Sequence, residues 1–259
     1  MVRDVSLYDG LFVRWMGKLE ADLPMILEIA KRTGGPILEL GVGAGRVAIP
    51  LARRGHRVTG VDNARAMLDA ARTRASTETL AARRRLTLLR QDLRRLRLGT
   101  RARFRLALLP FNTLSHFEDR GDQDRVIAGA AGALVRGGHL WISLFRFDPY
   151  RPTGVLRAEP SPLEGEAAGL PGSRTEAFFQ QTFDRARQVT EVRYWLDTVT
   201  PDGTVRRETL NLSLRWFERF ELERLVEAHG FEVRRVFGDF DGSEFGDGSP
   251  QLVLLARKR

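Results

Sequence analysis

The stretch that decides the fold of this chain is Ile37-Leu38-Glu39-Leu40-Gly41-Val42-Gly43-Ala44-Gly45-Arg46. An apolar run meets a carboxylate, and three glycines then follow at alternate positions. A second apolar run, Val58-Thr59-Gly60-Val61-Asp62, ends in another acid seventeen positions beyond Gly45. This pattern predicts a strand, a tight turn, a helix and a second strand, with a nucleotide-type cofactor site at the carboxyl edge of a parallel sheet.

The residue types of the turn fit such a site. Glycine adopts backbone angles that side chains disfavour, and it lets a ligand touch bare backbone. The helix that follows presents unpaired N–H groups to an anionic part of the ligand. Asp62, at the end of the second predicted strand, is placed to accept hydrogen bonds from two ribose hydroxyls.

The spacing of the glycines distinguishes two kinds of cofactor. Dinucleotide-binding folds carry G-x-G-x-x-G, with the third glycine beneath a pyrophosphate. Here the glycines are Gly41, Gly43 and Gly45, and Glu39 precedes the first of them by two residues. A carboxylate at that position suits a ligand that carries an ammonium group. The pattern resembles motif I of the class I S-adenosylmethionine-dependent methyltransferases, whose cofactor has a methionine ammonium, a ribose and an adenine.

The first half of the chain alternates between strand and helix patterns, which predicts an α/β fold with a doubly wound parallel sheet. Asn63 is expected to cap the helix after the second strand. Pro50, inside the first crossover helix, predicts a kink or a later helix start. The predicted strands are 37–41, 57–62, 86–91, 104–110 and 139–145, and the predicted helices are 5–34, 45–54 and 122–135.

The pattern changes after residue 147. Residues 148–175 hold five of the 11 prolines and are predicted to be a loop. Three strands, a helix and two closing strands are predicted next, at 176–184, 189–199, 204–215, 218–229, 231–237 and 251–257.

The resemblance to the methyltransferases extends to this order of elements. It implies a Rossmann-like, seven-stranded, mostly parallel core with an N-terminal helical cap, made of residues 1–147 and 216–259. Residues 148–215 would then be an insertion whose antiparallel strands form a substrate lid.

The resemblance also implies roles for individual residues. Gly41, Gly43 and Gly45 would line the methionine portion of S-adenosylmethionine, with Glu39 near its ammonium. The ribose would be held by Asp62, beside Asn63. The remaining implied contacts are Met67 on the adenine face, Asp92 at the adenine amino group, Leu93 N–H at a ring nitrogen and the Leu109 carbonyl at the ammonium. Two alternatives stay open: Asp92 as a simple turn cap, and Met67 as plain core.

Methyl transfer from a sulfonium is an in-line displacement, which needs alignment, exclusion of water and, for some acceptors, removal of a proton. His116 is the first candidate for the base because histidine titrates near neutral pH. Tyr8 is the second catalytic candidate. A structural or substrate-lining role for His116 is the alternative. Further candidates near the carboxyl edge are Asn112, Arg146, Arg215 and Asp239.

Composition narrows the chemistry. The chain has no cysteine, which excludes disulfides, thiolate metal sites and a cysteine nucleophile. Its four histidines show no metal-ligand spacing, so a metal-independent mechanism is expected. No apolar run approaches the roughly 20 residues of a membrane span, and no apolar signal segment follows Met1. A cytoplasmic protein without a membrane partner is therefore expected.

The net charge of +9 raises the alternative of an RNA substrate. However, the runs Arg83 to Arg85 and Arg101 to Arg105 precede strands and are expected at the amino edge of the sheet, away from the cofactor. Only Arg94 to Arg97 follow a strand. The sequence therefore favours transfer to a nitrogen or oxygen of a small molecule. An RNA methyltransferase and a non-catalytic S-adenosylmethionine-binding protein are the alternatives, and the sequence does not predict the oligomeric state.

Overall fold

The computed structural model describes residues 21–99, 103–147, 154–157, 163–164 and 173–259. These residues form two compact units. One comprises residues 21–147 and 215–259, and the other lies between residues 148 and 214. Tyr8, and with it residues 5–20 of the first predicted helix, lie outside the described residues.

The strands divide between the two units in chain order. The first five belong to the larger unit: β1 (Ile37–Leu40), β2 (Val58–Asp62), β3 (Leu86–Arg90), β4 (Phe104–Leu109) and β5 (Leu134–Phe145). The next five belong to the smaller unit: β6 (Gly154–Arg157), β7 (Leu163–Glu164), β8 (Arg174–Asp184), β9 (Val189–Val199) and β10 (Val205–Arg215). The last two return to the larger unit: β11 (Phe231–Phe237) and β12 (Gln251–Lys258).

The helices of the described residues all belong to the larger unit. They are α1 (Leu23–Thr33), α2 (Ala48–Arg53), α3 (Arg65–Ser76), α4 (Leu80–Arg85), α5 (Arg120–Ala133) and α6 (Arg219–Ala228). Helix α1 shows why they form where they do: Pro24 lies in its first turn, Lys31 and Arg32 lie in its last turn, and Gly34 follows with a φ of 72°. Proline is tolerated in a first turn, and cations stabilise a helix carboxyl end.

The larger unit is built on a seven-stranded sheet with the strand order β11-β12-β5-β4-β1-β2-β3. Strands β1 to β5 are parallel, and β12 runs antiparallel to both β5 and β11. The predicted doubly wound, mostly parallel seven-stranded fold is thus confirmed. Because β1 pairs with β2 on one side and β4 on the other, the strand order reverses at β1. Ligands of open α/β sheets bind in the crevice at such a point.

Side-chain alternation assigns each residue of β1 to a face of the sheet. Leu38 and Leu40 belong to the hydrophobic cluster that includes Val126 of α5 and Leu222 of α6. Ile37 belongs to the cluster on the other face, which packs against α1 and α2. Successive residues of a strand point to opposite faces, so Glu39 shares the face of Ile37. A carboxylate is thereby placed in the buried layer between the sheet and two helices.

The smaller unit contains a five-stranded sheet with the order β10-β9-β8-β6, and β7 also pairs with β8. Strands β8 and β9 are antiparallel along their whole length. Cross-strand polar pairs join β9 to β10, including Arg207 to Asp197 at 2.6 Å and Ser213 Oγ to Glu191 at 2.7 Å. The three antiparallel strands expected here are therefore confirmed.

The loop predicted for residues 148–175 is wrong in part, because β6, β7 and the start of β8 fall within it. None of the five prolines of that segment lies inside these strands. Strand β6 pairs with residues 178–181 of β8, more than twenty positions away in the sequence. Composition indicates where strands are interrupted, but it does not show which distant backbone will pair with the pieces in between.

Boundaries in the larger unit also differ from prediction. Helix α2 begins at Ala48, three residues later than predicted, which leaves Pro50 in the first turn, where a missing N–H costs no hydrogen bond. Strand β5 begins at Leu134 rather than 139, and it passes through Gly137 at a φ of 76° where its register with β4 shifts. The short helix α4 has no counterpart among the predicted elements.

The part of the chain that the structure describes contains no helix long and apolar enough to cross a membrane.

Candidate active site

The glycine turn lies at the carboxyl ends of β1 and β2. Gly41, Gly43 and Gly45 have φ angles of 76°, 51° and 83°, which lie in the left-handed region that favours glycine. The N–H groups of Gly41 and Val42 both donate to the Val61 carbonyl, at 2.8 and 3.0 Å. The turn is therefore anchored to β2 by its own backbone.

The space around each glycine shows what the missing side chain permits. A Cβ atom on Gly41 would come within 2.6 Å of the Thr113 side chain, and one on Gly45 would come within 2.9 Å of Ile49. A Cβ atom on Gly43 would meet nothing within 4 Å. Gly41 and Gly45 thus let protein pack against the turn, whereas Gly43 borders open space in which a ligand could approach the backbone.

Glu39 is buried beside this turn and is 2% exposed. Its carboxylate accepts a hydrogen bond from the Ala48 N–H, while Oε2 has no partner among the described residues. Burial raises the pKa of Glu39 to about 8, opposed by the nearby Arg46 and reinforced by the Asp22 and Asp62 carboxylates. A buried carboxylate with an unused oxygen calls for a donor that the described protein does not supply. An ammonium group meets that need.

An ion pair that the sequence did not reveal braces the turn. Arg46, directly after the third glycine, pairs with Asp22 through Nη1 to Oδ1 at 2.5 Å and Nη2 to Oδ2 at 2.7 Å. Asp22 precedes helix α1 and is 2% exposed. The Arg46 guanidinium also lies 5.3 Å from the centre of the Phe111 ring. One arginine thereby connects the glycine turn to α1 and to the loop after β4.

Asp62 ends β2 and binds the turn across the strand pair. Oδ2 accepts the Gly43 N–H and Oδ1 accepts the Ala64 N–H, both at 2.9 Å. Each carboxylate oxygen has a second lone pair, so Asp62 can still accept from two hydroxyls. The predicted cap at Asn63 is wrong: Ala64 is the N-cap residue of α3 and Asn63 is exposed, because the Asp62 carboxylate already receives the first free N–H.

The end of β3 lies next to Asp62, since the Gln91 N–H donates to the Asp62 carbonyl at 3.0 Å. Asp92 caps a short 3-10 turn at Leu93–Arg95 by accepting the Arg94 N–H. Its carboxylate also binds the Arg94 side chain, which lowers the pKa of Asp92. Leu93 is buried beneath this turn. The capping role that the sequence left open for Asp92 is therefore present.

The loop after β4 has an unusual backbone. Phe111 and Asn112 follow one another at φ angles of 52° and 59°. Three hydrogen bonds to β5 hold them: Phe111 N–H to Ser143 Oγ, Asn112 N–H to the Ser143 carbonyl, and Phe145 N–H to Asn112 Oδ1. Asn112 is 4% exposed, and the described residues provide no partner for its Nδ2. Left-handed non-glycine residues in series are characteristic of functional loops.

Leu109 and Met67, to which the resemblance gives cofactor contacts, are both buried. Leu109 ends β4 one residue beyond the pairing of β1 with β4, which stops at Glu39 opposite Leu108. Met67 lies in the first turn of α3 and is buried, yet it belongs to neither core cluster of the described residues, unlike its neighbour Leu68. Met67 is thus buried without being a member of either cluster.

His116 ends a 3-10 turn at Leu114–His116, which follows the strained loop. Desolvation lowers the pKa of His116 to about 4. Because the residue is exposed to solvent, water reduces this desolvation, and the direction of the shift favours the neutral imidazole.

Residues 37–138 match the protein family described as "Methyltransferase domain". Together with the motif and its geometry, that match identifies the segment. Residues 37–138 form a methyltransferase domain of the class I, S-adenosylmethionine-dependent kind. The chain is an enzyme, and its cofactor is S-adenosylmethionine.

The methyltransferase is similar along its length to known proteins. It is 23% identical over 258 residues to the Bacillus subtilis (strain 168) protein named "Putative methyltransferase YqeM", covering 98% of this chain and 95% of that one. The fold matches the CcbJ methyltransferase from Streptomyces caelestis, with a TM-score of 0.77, 22% identity and coverage of 93% and 95%. It also matches the sugar N-methyltransferase KedS8 from Streptoalloteichus sp ATCC 53650, with a TM-score of 0.73, 19% identity and coverage of 97% and 92%.

Three further candidates of the methyltransferase have structural partners. Arg215 is buried in an ion pair with Glu221 at the start of α6. Arg146 donates to the Gly246 and Asp247 carbonyls and so fastens the loop between β11 and β12. Asp239 accepts the N–H of Phe240 in the same loop. Each side chain therefore contributes to holding its own segment in place.

The acidic and histidine side chains of the described residues nowhere form a group of three or more that could hold a metal ion.

Proposed function

We propose that this methyltransferase transfers a methyl group to the nitrogen of a small-molecule amine. The observation that carries the proposal is the histidine beside the strained loop. No carboxylate pairs with His116 among the described residues and its pKa is lowered, so it is not arranged as the strong base that a hydroxyl acceptor needs, whereas a neutral amine attacks with its lone pair and needs no such base. The likeness in fold to a sugar N-methyltransferase supports a nitrogen acceptor. Transfer to oxygen is the competing outcome.

The residues around the turn fit the cofactor. Glu39 Oε2 would accept the methionine ammonium, and the Leu109 carbonyl would accept a second N–H from the same group. Gly41, Gly43 and Gly45 would border the methionine portion, with open space at Gly43. When bound, S-adenosylmethionine supplies a methyl group made electrophilic by a positively charged sulfur.

The adenosine half would be held by residues that follow β2 and β3. Asp62 would use its remaining lone pairs for the ribose hydroxyls, and exposed Asn63 would lie alongside. Met67 would cover one face of the adenine. Asp92 and the Leu93 N–H would meet its polar edge, which requires Asp92 to share its carboxylate between the base and Arg94.

We assign to His116 and Asn112 the orientation of the acceptor. Asn112 Nδ2 is available to donate, because its Oδ1 is held by the Phe145 N–H and its backbone is fixed to β5. The neutral imidazole of His116 can accept a hydrogen bond from the attacking amine, and the methylated ammonium product then loses its proton to water. Tyr8 stays a proposed second catalytic residue.

We further propose that the inserted residues 148–215 serve as the substrate lid and that the remainder binds the cofactor. Substitutions in the antiparallel sheet, such as Gln180→Ala, should then raise the KM for the acceptor and leave the Kd of S-adenosylmethionine unchanged. A change in the cofactor Kd with an unchanged acceptor KM would contradict this division.

The acceptor class is tested by mass spectrometry of reactions with two matched panels. One panel contains amino sugars and other small amines, and the second contains the corresponding hydroxyl compounds. We expect methylated products in the amine panel only. Methylation confined to hydroxyls, or to RNA, would overturn the proposal.

The roles proposed for the site residues are tested by calorimetry with S-adenosylmethionine and by steady-state kinetics with the methylated amine. Asp62→Asn should weaken S-adenosylmethionine binding by about 10–100-fold, the value of one or two charge-assisted hydrogen bonds. The control Asp69→Asn changes an exposed acid on α3 that pairs with Arg72 and should bind normally. His116→Ala should lower kcat and leave the cofactor Kd unchanged, while His229→Asn, at the residue that follows α6, should leave both kcat and Kd unchanged. Normal turnover of His116→Ala would remove His116 from the reaction.

A further inference from the structure

A cavity lies at the amino edge of the core sheet, which is the edge opposite the glycine turn. It has a volume of about 390 Å³, which is within the roughly 300–1,000 Å³ typical of small-molecule sites. Its lining is dominated by basic side chains, namely Arg32, Arg105, Arg136, His139, Arg234 and Arg257. We call it the arginine cavity. No acidic residue is part of its lining among the described residues.

Five separate elements bring these side chains together. Arg32 lies in the last turn of α1, and Arg105 is the second residue of β4. Arg136 and His139 lie in the first half of β5. Strands β11 and β12 contribute Arg234 and Arg257, and Arg257 stands opposite His139 in the β12–β5 pairing. The convergence is a property of the tertiary fold and not of one charged run.

The charge of the cavity is only partly compensated. Arg32 pairs with Glu28 at 2.9 Å and Arg234 pairs with Glu232 at 2.7 Å, both at exposed positions where ion pairs are weak. Arg257 reaches only the Gly137 carbonyl, at 3.4 Å. The side chains of Arg105 and Arg136 have no hydrogen bond or ion pair within the described residues. Of the five arginines, only Arg32 and Arg234 therefore have a glutamate as an ion-pair partner within the described residues.

The pKa of the cavity histidine reflects the neighbouring positive charges. His139 has its pKa lowered first by desolvation and then by the charges of Arg257 and Arg234. Nearby positive charges disfavour a protonated imidazole. The same field favours an anion in the cavity, since guanidinium groups concentrated in a concave surface raise the local concentration of negative ligands.

The backbone of β5 leaves room for close approach at this point. Gly137 has a φ of 76°, and a Cβ atom there would come within 3.1 Å of Arg257 Nη2. At Gly138 a Cβ atom would come within 2.9 Å of the Val135 carbonyl. Gly137 therefore allows the Arg257 side chain to lie against the strand, while Gly138 allows the backbone to pass close to the Val135 carbonyl.

We propose that the arginine cavity binds a diphosphate group, either free or as part of a nucleoside diphosphate. The planar fork of arginine matches phosphate oxygens through two parallel hydrogen bonds. Several guanidinium groups around a ligand-sized space suit two linked phosphates better than one small anion. Leu109, at the other end of β4, lies on the order of 13 Å from Arg105, so this site is separate from the cofactor site.

The test is calorimetry on the full chain, saturated with S-adenosylmethionine, with inorganic pyrophosphate as the probe. The variant Arg105→Gln/Arg136→Gln removes the two guanidinium groups that make neither a hydrogen bond nor an ion pair within the described residues. The control Arg187→Gln/Arg224→Gln removes two exposed arginines outside the cavity and makes the same change in net charge. We expect the Kd for pyrophosphate to rise at least about tenfold in the first variant, because each lost charge-assisted hydrogen bond has about that effect. The control should stay within about twofold of the natural protein.

Further arms settle the source and the class of the ligand. ADP that binds more tightly than pyrophosphate indicates a nucleoside diphosphate, and equal or weaker binding indicates the free diphosphate. The variant Arg105→Lys/Arg136→Lys keeps the charge without the forks and should recover part of the affinity. An unchanged cofactor Kd in every variant shows that each one folds.

Three results would overturn the proposal. One is pyrophosphate binding that is equal in the cavity variant and the control. A second is citrate binding in place of pyrophosphate. The third is a protein that ignores pyrophosphate but binds single-stranded RNA with loss in the cavity variant, which would identify a nucleic-acid surface instead.

Discussion

The two edges of the core sheet differ in the side chains that line their sites, which are acids at the carboxyl edge and arginines at the amino edge. At the carboxyl edge, three carboxylates surround the glycine turn: Asp22, Glu39 and Asp62 all contribute to the electrostatics of one buried acid. At the amino edge, five arginines and a histidine line a cavity. The same strands connect the two, since β4 runs from Arg105 at one edge to Leu109 at the other. The acidic side chains of the one site and the basic side chains of the other are therefore separated along the direction of the strands.

This difference shows why a net charge of +9 is a poor guide to the active site. S-adenosylmethionine has a cationic sulfur and an ammonium, and acids at the carboxyl edge suit such a ligand. The excess arginine is found elsewhere. The expected placement of Arg83 to Arg85 before β3 and of Arg105 at the start of β4 is confirmed. The net charge of a chain indicates a binding partner only when the fold shows which surface the charged residues share.

Among the residues of the two edges, Glu39 is expected to give the largest effect on stability. Its pKa is about 8 in the folded protein and about 4.5 when exposed, so between those values the folded state holds the proton more tightly. Glu39 therefore stabilises the cofactor-free protein fully below about pH 4.5, and this contribution is lost as the pH rises to 8. The free energy of unfolding should fall by up to about 5 kcal/mol over that window. Urea titrations at a series of pH values measure it.

Glu39→Gln should remove this pH dependence and weaken cofactor binding by about 10–100-fold, as expected when an ion pair to an ammonium is lost. Bound cofactor should also flatten the pH dependence of the natural protein, because an ammonium favours the ionised carboxylate. An identical pH profile in the natural protein and in Glu39→Gln would show that Glu39 is ionised in the free protein.

The next largest effect is expected from a pair of glycine variants. Gly41→Ala adds a Cβ within 2.6 Å of Thr113 at a left-handed backbone, and should destabilise the protein by about 2–4 kcal/mol. Gly43→Ala meets no atom within 4 Å and should cost only about 1–2 kcal/mol from its φ angle.

Cofactor binding separates the two glycines further. Gly43→Ala should weaken S-adenosylmethionine binding despite its milder effect on stability, because its methyl group enters the open space at the turn. Thermal melts and calorimetry on both variants provide the measurements. Gly43→Ala with an unaltered cofactor Kd would place the ligand away from Gly43.

A smaller effect is expected at the ion pair that braces the turn. Arg46→Lys keeps the charge but loses the two-pronged bond to buried Asp22, and should cost about 1–2 kcal/mol of stability with a several-fold weaker cofactor. The matched control Arg53→Lys alters an arginine that also forms a two-pronged pair, with Glu78, but at an exposed position. No measurable change is expected there. Equal effects of the two variants would mean that burial of the Asp22 pair adds nothing.

The smallest effect is expected at the amino edge. Arg105→Gln/Arg136→Gln should leave kcat, the acceptor KM and the cofactor Kd within about twofold, because both side chains are exposed and remote from the turn. Steady-state kinetics with the amine identified from the panel provides the check. A large loss of kcat would show that the two edges are coupled.

Much of the candidate site could be located from the sequence because its signals are local. Glu39, the glycines and Asp62 lie within one strand–turn–helix–strand segment, and their order along the chain is nearly their order in space. The element boundaries that failed, such as the cap at Asn63 and the start of β5, depend on which group reaches a free N–H first or where a neighbouring strand begins.

Residues whose partners are distant in the sequence could not be predicted. Asp22 and Arg46 are separated by 24 positions, and the Thr113 side chain, which packs against Gly41, belongs to the loop after β4. The arginine directly after the third glycine was a signal of a kind, but nothing in the sequence indicated its partner. The same holds for β6 and β7, whose hydrogen bonds come from β8.

The sequence by itself determined the parallel sheet, the turn and the kind of cofactor, because apolar periodicity and glycine spacing act through neighbouring residues. The tertiary structure alone decided that Glu39 is buried with an unpaired oxygen, that Arg46 is clamped to Asp22, and that five scattered arginines line one cavity. The physical reason is that burial and Coulomb interactions depend on distance in space. For these groups that distance is set by strand order and not by position along the chain.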